Sequence, residues 1–201
     1  MTEVKKARRA ALLPVSFFER PTDVVARELI GRTLVAGTGR NRTVGRIVET
    51  EAYFGHRDPA SHGYANRRHA QNETLYGPAG TWYVYLSYGV HWCANLVCER
   101  ETNAGAVLLR ALQPLEGMAV MRRRRGGIDA ERLLASGPGR LTQAFGIDRR
   151  LDAQAMRRSS VVILARGPGD VAVEVSRRIG ITKAVDWPLR FTERGSRWTS
   201  R

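Results

Sequence analysis

Lysine is nearly absent from this sequence, whose 33 basic residues include only three lysines, Lys5, Lys6 and Lys183. No side-chain amine is therefore available between residues 7 and 182. Because a covalent imine needs a free amine as its nucleophile, we expect no Schiff-base chemistry from that stretch. Water is then the expected nucleophile for any reaction that these residues catalyse.

Cysteine and long apolar runs are also scarce. Cys93 and Cys98 share one apolar segment, which predicts two buried free thiols in a reducing compartment. No apolar run is long enough to span a membrane, and the basic start of the chain has too short an apolar patch for a signal peptide. We interpret residues 1–13 as a mobile basic arm, and we expect a cytoplasmic, nucleoid-associated protein that contacts no membrane.

Acidic residues are outnumbered by basic ones, 19 to 33, which gives a net charge of +14 and a pI near 11. Such a balance favours a polyanionic partner, most often nucleic acid, over an anionic membrane. The 201 residues are 43% hydrophobic, enough for one core. No repeat or linker divides the chain, so residues 14–201 are expected to form a single domain.

Apolar periodicity and turn residues predict a mixture of helices and strands. Helices are expected at residues 24–30, 114–121 and 129–135, and Ser136–Leu141 leads into a further helix that ends at Phe145. Strands are expected at residues 32–36, 44–53, 81–87, 92–98, 104–112, 161–164, 171–176 and 189–191. The first four strands form two predicted β-hairpins, and the polar loop at residues 55–77 is long enough to be functional.

The strand at Arg46–Tyr53 carries two carboxylates on one predicted face. A period of two places Ile47, Glu49, Glu51 and Tyr53 on that face. Carboxylates beside a tyrosine on an apolar strand indicate either a solvated edge or the floor of a site. The pattern alone leaves both interpretations open.

Arg110 interrupts Ala104–Leu112, the most apolar predicted strand. A guanidinium on a buried strand needs a carboxylate partner, because isolated burial of a charge is too costly. Glu51 or Glu49 is the natural partner. The alternative, equally compatible with the pattern, is that Arg110 lies in water at the end of its strand.

Tyr88 is predicted at or near the tip of the second hairpin, on the opposite face from Tyr85. Core packing is the ordinary explanation for Tyr83 and Tyr85. An aromatic side chain at an exposed tip has little to pack on, and in a basic protein it indicates a wedge between base pairs. The Gly-Pro-Gly run before Arg140 stands at a predicted helix start, where free amides favour an anion.

A metal site is not expected. The histidines of the long loop, His56, His62 and His69, have no helical ligand spacing, and Cys93-x4-Cys98 is not a zinc knuckle. No cofactor is implied by these residues. The fragment Gly37-Thr38-Gly39 lacks the third glycine and the following helix of a dinucleotide-binding motif.

Several blocks of the chain together resemble the alkyladenine (3-methyladenine) DNA glycosylases of the mammalian type, which are monofunctional base-excision enzymes. The resemblance runs in order from about Thr22 to Trp198. It is carried by residues 46–53 (RIVETEAY), 80–89 (GTWYVYLSYG), 107–112 (VLLRAL) with 114–117 (PLEG), 136–141 (SGPGRL), 189–191 (LRF) and 194–196 (RGS).

The resemblance implies a single α+β domain, with a curved antiparallel β-sheet flanked by helices and a protruding β-hairpin. It also implies hydrolytic excision of alkylated or deaminated purines (3-methyladenine, hypoxanthine, ethenoadenine class) from double-stranded DNA, without cofactor, metal or obligate protein partner. The resemblance implies that Glu51 is the general base and that Arg110 holds the attacking water. It implies a base pocket formed by Tyr53, His62, Tyr85 and Asn95, with Tyr88 as the intercalating residue. The implied contacts to the DNA backbone come from Gly137, Gly139 and Arg140.

Chemistry agrees with this assignment, since a damaged base must leave the stack before its glycosidic carbon can be reached. Electron-rich aromatic rings favour alkylated, electron-poor bases. One competing hypothesis is a DNA-binding module without catalysis, which only a Glu51–Arg110 pair would distinguish. Another is a glycoside hydrolase or metal nuclease built on Glu49 and Glu51, although neighbouring carboxylates that point the same way differ from a pair facing across a bond.

Overall fold

The computed structural model describes residues 12–100, 103–165 and 171–200. Within these ranges the chain forms four short α-helices, none of which is long and apolar enough to cross a membrane. The helices are α1 (Val15–Phe18), α2 (Thr22–Leu29), α3 (Met118–Arg124) and α4 (Pro138–Phe145). Short 3-10 turns lie at Gly39–Asn41, Gly55–Arg57, Tyr64–Asn66, Glu73–Tyr76, Glu131–Leu133, Arg149–Leu151 and Met156–Arg158.

Eight strands of the described residues form one sheet in which every pairing is antiparallel. They are β1 (Thr33–Ala36), β2 (Thr43–Tyr53), β3 (Trp82–Ser87), β4 (His91–Cys98), β5 (Gly105–Glu116), β6 (Val161–Ile163), β7 (Val173–Ser176) and β8 (Arg190–Glu193). The order is β3-β4-β5-β2-β1-β6, and β8 joins β7 to β2. The predicted α+β class and both predicted hairpins are confirmed.

Alternation along β3, β4 and β5 separates the core from the opposite face of the sheet. Trp82, Leu96 and Leu109 lie fully buried in the main core cluster, which also contains residues of α1, α2 and α4. Burying each such side chain contributes roughly 1.5–3 kcal/mol. Their neighbours along the same strands, Tyr83 and Asn95 among them, take the other face and line a cavity.

Besides a register shift between Val44 and Gly45, two compensating bulges break the alternation in the middle of the β2–β5 pairing. Ile47 pairs with Leu112, Glu49 with Ala111, and Thr50 with Leu109, so each strand carries one extra residue. These extra residues are Val48 on β2 and Arg110 on β5. Bulges of this kind re-aim side chains and occur beside active sites.

The bulge on β2 corrects one prediction about its faces. Ile47 packs in the main core together with Ala52, whereas Val48 packs with Ala111 and Trp198. Ile47 therefore does not share a face with Glu51, because the extra residue reverses the alternation. The long strand also changes partner here, since its free edge pairs with β1 before the bulge and with β8 after it.

Two helix predictions were wrong, one in its bounds and one in its type. The predicted helix at 114–121 starts late, because β5 continues to Glu116 by pairing with β2, and Gly117 turns the chain at a φ of 79° before α3. The predicted helix at 129–135 is a single 3-10 turn.

Most of the predicted basic arm, residues 1–11, lies outside the described residues. Its last two residues belong to the fold. Leu12 forms an antiparallel bridge to Leu164, and the amide of the buried Leu13 donates to the Ile163 carbonyl at 3.1 Å.

Gly55 opens the loop that leads from β2 into the cavity wall. Its φ is 57°, and a Cβ placed there would lie 1.7 Å from the Asn103 carbonyl oxygen. We expect Gly55→Ala to lower the free energy of unfolding by about 3 kcal/mol or more, from left-handed strain and overpacking together. Chemical denaturation measures the change.

Gly39→Ala is the matched control, because Gly39 has a φ of 53° but no atom lies within 4 Å of the place that an alanine Cβ would take. That substitution should cost only the strain, about 1 kcal/mol. Equal losses of stability in the two variants would show that the contact with residue 103 does not restrict position 55.

Candidate active site

A cavity of about 640 Å³ opens on the face of the sheet opposite the main core. That volume is ordinary for a small-molecule or nucleobase site. Its walls come from the second hairpin, from β5, from the loop after β2 and from the segment at residues 179–183. Its lining includes Tyr53, His62, Tyr83, Tyr85, Tyr88, Asn95, Arg110, Ile179 and Lys183.

Arg110 lies between two buried carboxylates. Its Nε is 3.1 Å from Glu49 Oε1, and its Nη1 is 3.2 Å from Glu51 Oε2. Arg110 is 7% exposed and both glutamates are 0% exposed. This resolves the two alternatives for Arg110 in favour of the buried ion pair, and the bulge on β5 provides the position from which it reaches both acids.

Glu49 is surrounded by structural donors. Its Oε1 accepts from Arg190 Nε at 2.7 Å and from Ser200 Oγ at 2.7 Å, in addition to Arg110. The Ser200 amide donates to its other oxygen. With its acceptor positions occupied in this way, Glu49 holds β8 and the residues after it against the bulge.

Glu51 has three donors instead. The Tyr53 hydroxyl donates to Oε2 at 2.9 Å, Arg110 donates to the same oxygen, and the Ile179 amide donates to Oε1 at 2.7 Å. Glu51 itself is buried, and all three donors line the cavity above it. Since a carboxylate accepts about four hydrogen bonds, the described residues leave one position on Oε1.

Burial raises the pKa of the Glu51 carboxyl above its usual range, and the Arg110 guanidinium acts in the opposite direction. A carboxylate with a raised pKa is a stronger base than an exposed glutamate. The same burial, together with the Glu51 charge, raises the pKa of the Tyr53 hydroxyl. Tyr53 therefore stays a hydrogen-bond donor to Glu51.

Three aromatic side chains form one wall of the cavity. The Tyr83 and Tyr85 rings are stacked with centroids 5.3 Å apart, and the His62 ring meets Tyr85 edge-on at 4.4 Å. His62 Nδ1 lies 2.8 Å from the Tyr83 hydroxyl. Partial burial lowers the pKa of His62, so the ring is neutral at neutral pH. Tyr83 is buried in a small second cluster with Leu75 and Val97, and the partly buried Tyr85 packs against that cluster.

Asn95 is buried on β4, and its side-chain amide donates a hydrogen bond to the Tyr83 carbonyl at 3.2 Å. It lines the same cavity as the aromatic wall.

Cys93, two residues before Asn95, also lines the cavity. Both cysteines are free and buried, as predicted, and burial raises the pKa of each thiol. High thiol pKa values make them unreactive as nucleophiles.

Tyr88 lies at the hairpin tip and is 89% exposed. Tyr88 and Gly89 both have positive φ, 50° and 68°, and the Val90 amide donates to the Ser87 carbonyl at 2.9 Å. Two consecutive positive φ values are what a tight turn between twisted strands requires. Tyrosine is strained in this conformation, so the tip places an aromatic ring in solvent despite a conformational cost.

A second cavity adjoins the first at the base of the hairpin. The two share His91, Arg110 and Pro138, and the second is also lined by Gly137, Gly139 and three arginines, Arg125, Arg132 and Arg140. A Cβ at position 139 would lie 2.6 Å from the His91 ring, so glycine is needed for the hairpin to approach α4. The predicted backbone-binding residues thus lie beside the predicted base pocket.

Lys183 lies just beyond the lysine-free stretch at residues 7–182, yet it is exposed and lines the first cavity beside the predicted site residues. The sequence did not predict this placement, because Lys183 is far along the chain from most other residues of the cavity. The loop at Ile179–Lys183 reaches the cavity because the Ile179 amide binds Glu51.

A buried ion pair of Arg178 with Asp58, both with side chains 0% exposed, was not predicted from the sequence. Arg178 Nη2 donates to Asp58 Oδ1 at 2.9 Å. An arginine directly before the Ile-Gly-Ile segment at residues 179–181 was the only available signal. The pair ties the loop after β2 to the loop that carries Ile179.

The described residues contain no group of three or more histidine, cysteine or acidic side chains that could hold a metal ion. Glu49 and Glu51 both bind the same guanidinium from one side. This arrangement differs from two carboxylates that face each other across a glycosidic bond, so it does not favour the glycoside hydrolase hypothesis.

Comparison with known proteins agrees with the resemblance found in the sequence. The sequence model of the family described as "Methylpurine-DNA glycosylase (MPG)" matches residues 16–197. A protein of Rhodopseudomonas palustris (strain HaA2) is 49% identical over 185 residues, which cover 92% of this chain and 88% of that protein. One of Agrobacterium fabrum is 46% identical, covering 94% and 92%, and one of Methanoculleus marisnigri is 45% identical, covering 94% and 98%. All three bear the name "Putative 3-methyladenine DNA glycosylase".

Proposed function

The chain belongs to the methylpurine-DNA glycosylase family, and from this premise we propose that it flips damaged purines out of double-stranded DNA and excises them with water. As a member it is a hydrolase of N-glycosyl bonds that acts in DNA repair. The proposed substrates extend from 3-methyladenine to hypoxanthine and ethenoadenine, and the product is an abasic site. The proposed setting is the cytoplasm, on the nucleoid, as a monomer.

The observation that carries the proposal is the buried Glu51 with one unfilled acceptor position beneath an aromatic cavity. A module that only bound DNA would gain nothing from a buried carboxylate that keeps an acceptor position beneath a cavity, because its desolvation is costly. A hydrolase needs that group to take a proton from water. The ion pair with Arg110 makes the buried charge tolerable and orients it.

In the proposed reaction the attacking water occupies the remaining position on Glu51 Oε1. Arg110 Nη1 also donates to the Ile179 carbonyl at 3.3 Å, so arginine and backbone bracket the carboxylate. Glu51 accepts the water's proton as the oxygen attacks the sugar carbon, and the electron pair of the broken glycosidic bond leaves with the base. Pre-organisation of this kind avoids reorganisation during the reaction.

The proposed slot for the flipped base lies between Tyr53 and the His62–Tyr85 wall. A base cannot lie between His62 and Tyr85, because those rings touch. Among the described residues, no ring contact joins Tyr53 to either of them, and all three line the cavity. Stacking on such faces contributes about 1–3 kcal/mol per base. Asn95 would face the purine edge and disfavour the 2-amino group of guanine.

The proposed DNA path crosses the hairpin tip and the second cavity. Tyr88 would enter the stack and fill the space left by the flipped nucleotide. Gly137, Gly139 and Arg140 would follow the phosphate backbone, with help from the α4 N-terminus. The three arginines of the second cavity provide salt-dependent attraction without base readout.

Glu51→Gln should abolish excision while lesion binding is kept, because the amide preserves shape but cannot accept the proton. A loss of about 10²–10⁴-fold is expected. The assay uses duplexes with one hypoxanthine or ethenoadenine, and alkali reveals abasic sites. Glu28→Gln, at an exposed pair with Arg20, is the surface control. Normal excision by Glu51→Gln would refute the catalytic assignment.

The pH dependence of kcat/KM gives a second measure of the same role. Glu51 acts only when deprotonated, and burial raises its pKa. Activity should therefore fall as the pH drops through a value above the ordinary glutamate pKa of about 4.3. An acidic limb at or below that value would count against Glu51 as the base.

Tyr88→Gly should stabilise the protein and weaken lesion capture together. Glycine relieves a left-handed strain of about 1 kcal/mol, and removal of the ring should reduce affinity for damaged duplex about tenfold. Tyr88→Ala, which keeps the strain, should lose capture without gaining stability. Denaturation and binding titrations measure both effects. Equal loss of affinity for damaged and undamaged DNA would argue against intercalation.

Lys183 should not form an imine with the abasic product, although it lines the cavity. Imine-forming lysines are desolvated or lie beside another cation, whereas Lys183 is exposed. Borohydride added during turnover should trap no covalent complex, and Lys183→Gln should still produce strand breaks only after alkali. A trapped complex that disappears in Lys183→Gln would make the enzyme bifunctional.

A further inference from the structure

The ring of Tyr53 has a buried cation on one side. The guanidinium carbon of Arg178 lies 4.6 Å from the centroid of this ring, within the range of a cation–π contact. Tyr53 lines the cavity and Arg178 does not. The guanidinium therefore occupies the ring face turned away from the cavity, and a flipped base would stack on the other face.

Burial and hydrogen bonds hold this cation in place. Arg178 and Asp58 form their ion pair with no side-chain exposure, and Arg178 Nη1 also donates to the Ala52 carbonyl at 3.0 Å. Moving the guanidinium into solvent would leave Asp58 buried without its partner, which is strongly unfavourable. The cation is thus a permanent part of the surroundings of Tyr53.

The nearby acids do not remove its effect on the ring. Asp58 binds the guanidinium and the backbone amides of Phe54 and Ala60, at 3.2 and 3.0 Å. Glu51 meets Tyr53 only at the hydroxyl and is itself paired with Arg110. The charge that lies over the π face of Tyr53 is the guanidinium, and it draws electron density towards the buried side.

We propose that Arg178 is a positioning residue that sets lesion specificity, making the Tyr53 face less favourable for cationic bases and so favouring uncharged purine lesions. A second cation on the free face would gain less from the polarised ring and would be repelled across it. The inference rests on the proposed function, because it assumes that Tyr53 stacks on the flipped base. The His62–Tyr85 wall has no comparable cation among the described residues, and the lowered pKa of His62 keeps that wall neutral.

The test compares single-turnover excision of a cationic and a neutral adenine lesion. Freshly methylated duplex DNA supplies 3-methyladenine, and an oligonucleotide duplex supplies ethenoadenine. Arg178→Met should raise the rate on 3-methyladenine relative to ethenoadenine by about threefold to tenfold. Arg178→Lys, which keeps the charge, should shift the ratio by less than about twofold on the same grounds.

Asp58→Asn provides a change of opposite sign and is nearly isosteric. It leaves the guanidinium unneutralised, so the ratio should move towards ethenoadenine. Should Arg178→Met fail to fold, this variant decides the question. Ratios that stay within about twofold of the unaltered protein, or rates that fall equally on both lesions, would show a structural role only.

The two levels of inference fail separately. If the unaltered protein excises neither lesion, the proposed function is wrong. If it excises both and neither variant changes the ratio, only the role of Arg178 is wrong. Binding of both duplexes in a Glu51→Gln background gives the same ratio without chemistry, and it should follow the same signs.

Discussion

The arrangement depends on one guanidinium buried between two carboxylates. Without Arg110, Glu51 would be a buried charge with no cation, beside Glu49, which only Arg190 would then pair. An unpaired buried charge is too costly for a fold of this size. With Arg110 present, Glu49 can serve as a structural anchor, and Glu51 can keep one acceptor position for the water of the proposed reaction. The bulges on β2 and β5 lie where these side chains converge. The Ile179 amide donates to Glu51 and so holds the loop at Arg178–Lys183.

Much of this could be predicted from residues alone. Alternation placed Glu51 and Tyr53 on one face, and they are hydrogen-bonded neighbours. The cost of burying a charge predicted that Arg110 would seek Glu49 or Glu51, and it binds both. Turn residues located the hairpin tip at Tyr88. Each of these inferences uses a local pattern whose physical cause acts within a few residues or through one unavoidable pairing.

The failures have the opposite character. A one-residue bulge leaves no mark in composition, so Ile47 was assigned to the wrong face. The extension of β5 to Glu116 depends on a partner strand about 70 residues away, which overrides the helical tendency after Pro114. Lys183, Arg178 and Asp58 reach the site through tertiary contacts between distant loops. Nothing near them in sequence encodes which loop they will meet.

The contacts made by Glu49 and Glu51 also bear on when the floor of the cavity is completed during synthesis of the chain. Glu49 binds Arg190 and Ser200, and Glu51 binds the Ile179 amide; these partners lie about 130 to 150 positions later in the chain. Pairings of such separation form slowly, because loop closure precedes the contact that rewards it. A nascent chain on the ribosome would therefore hold an incomplete acid cluster until those segments emerge.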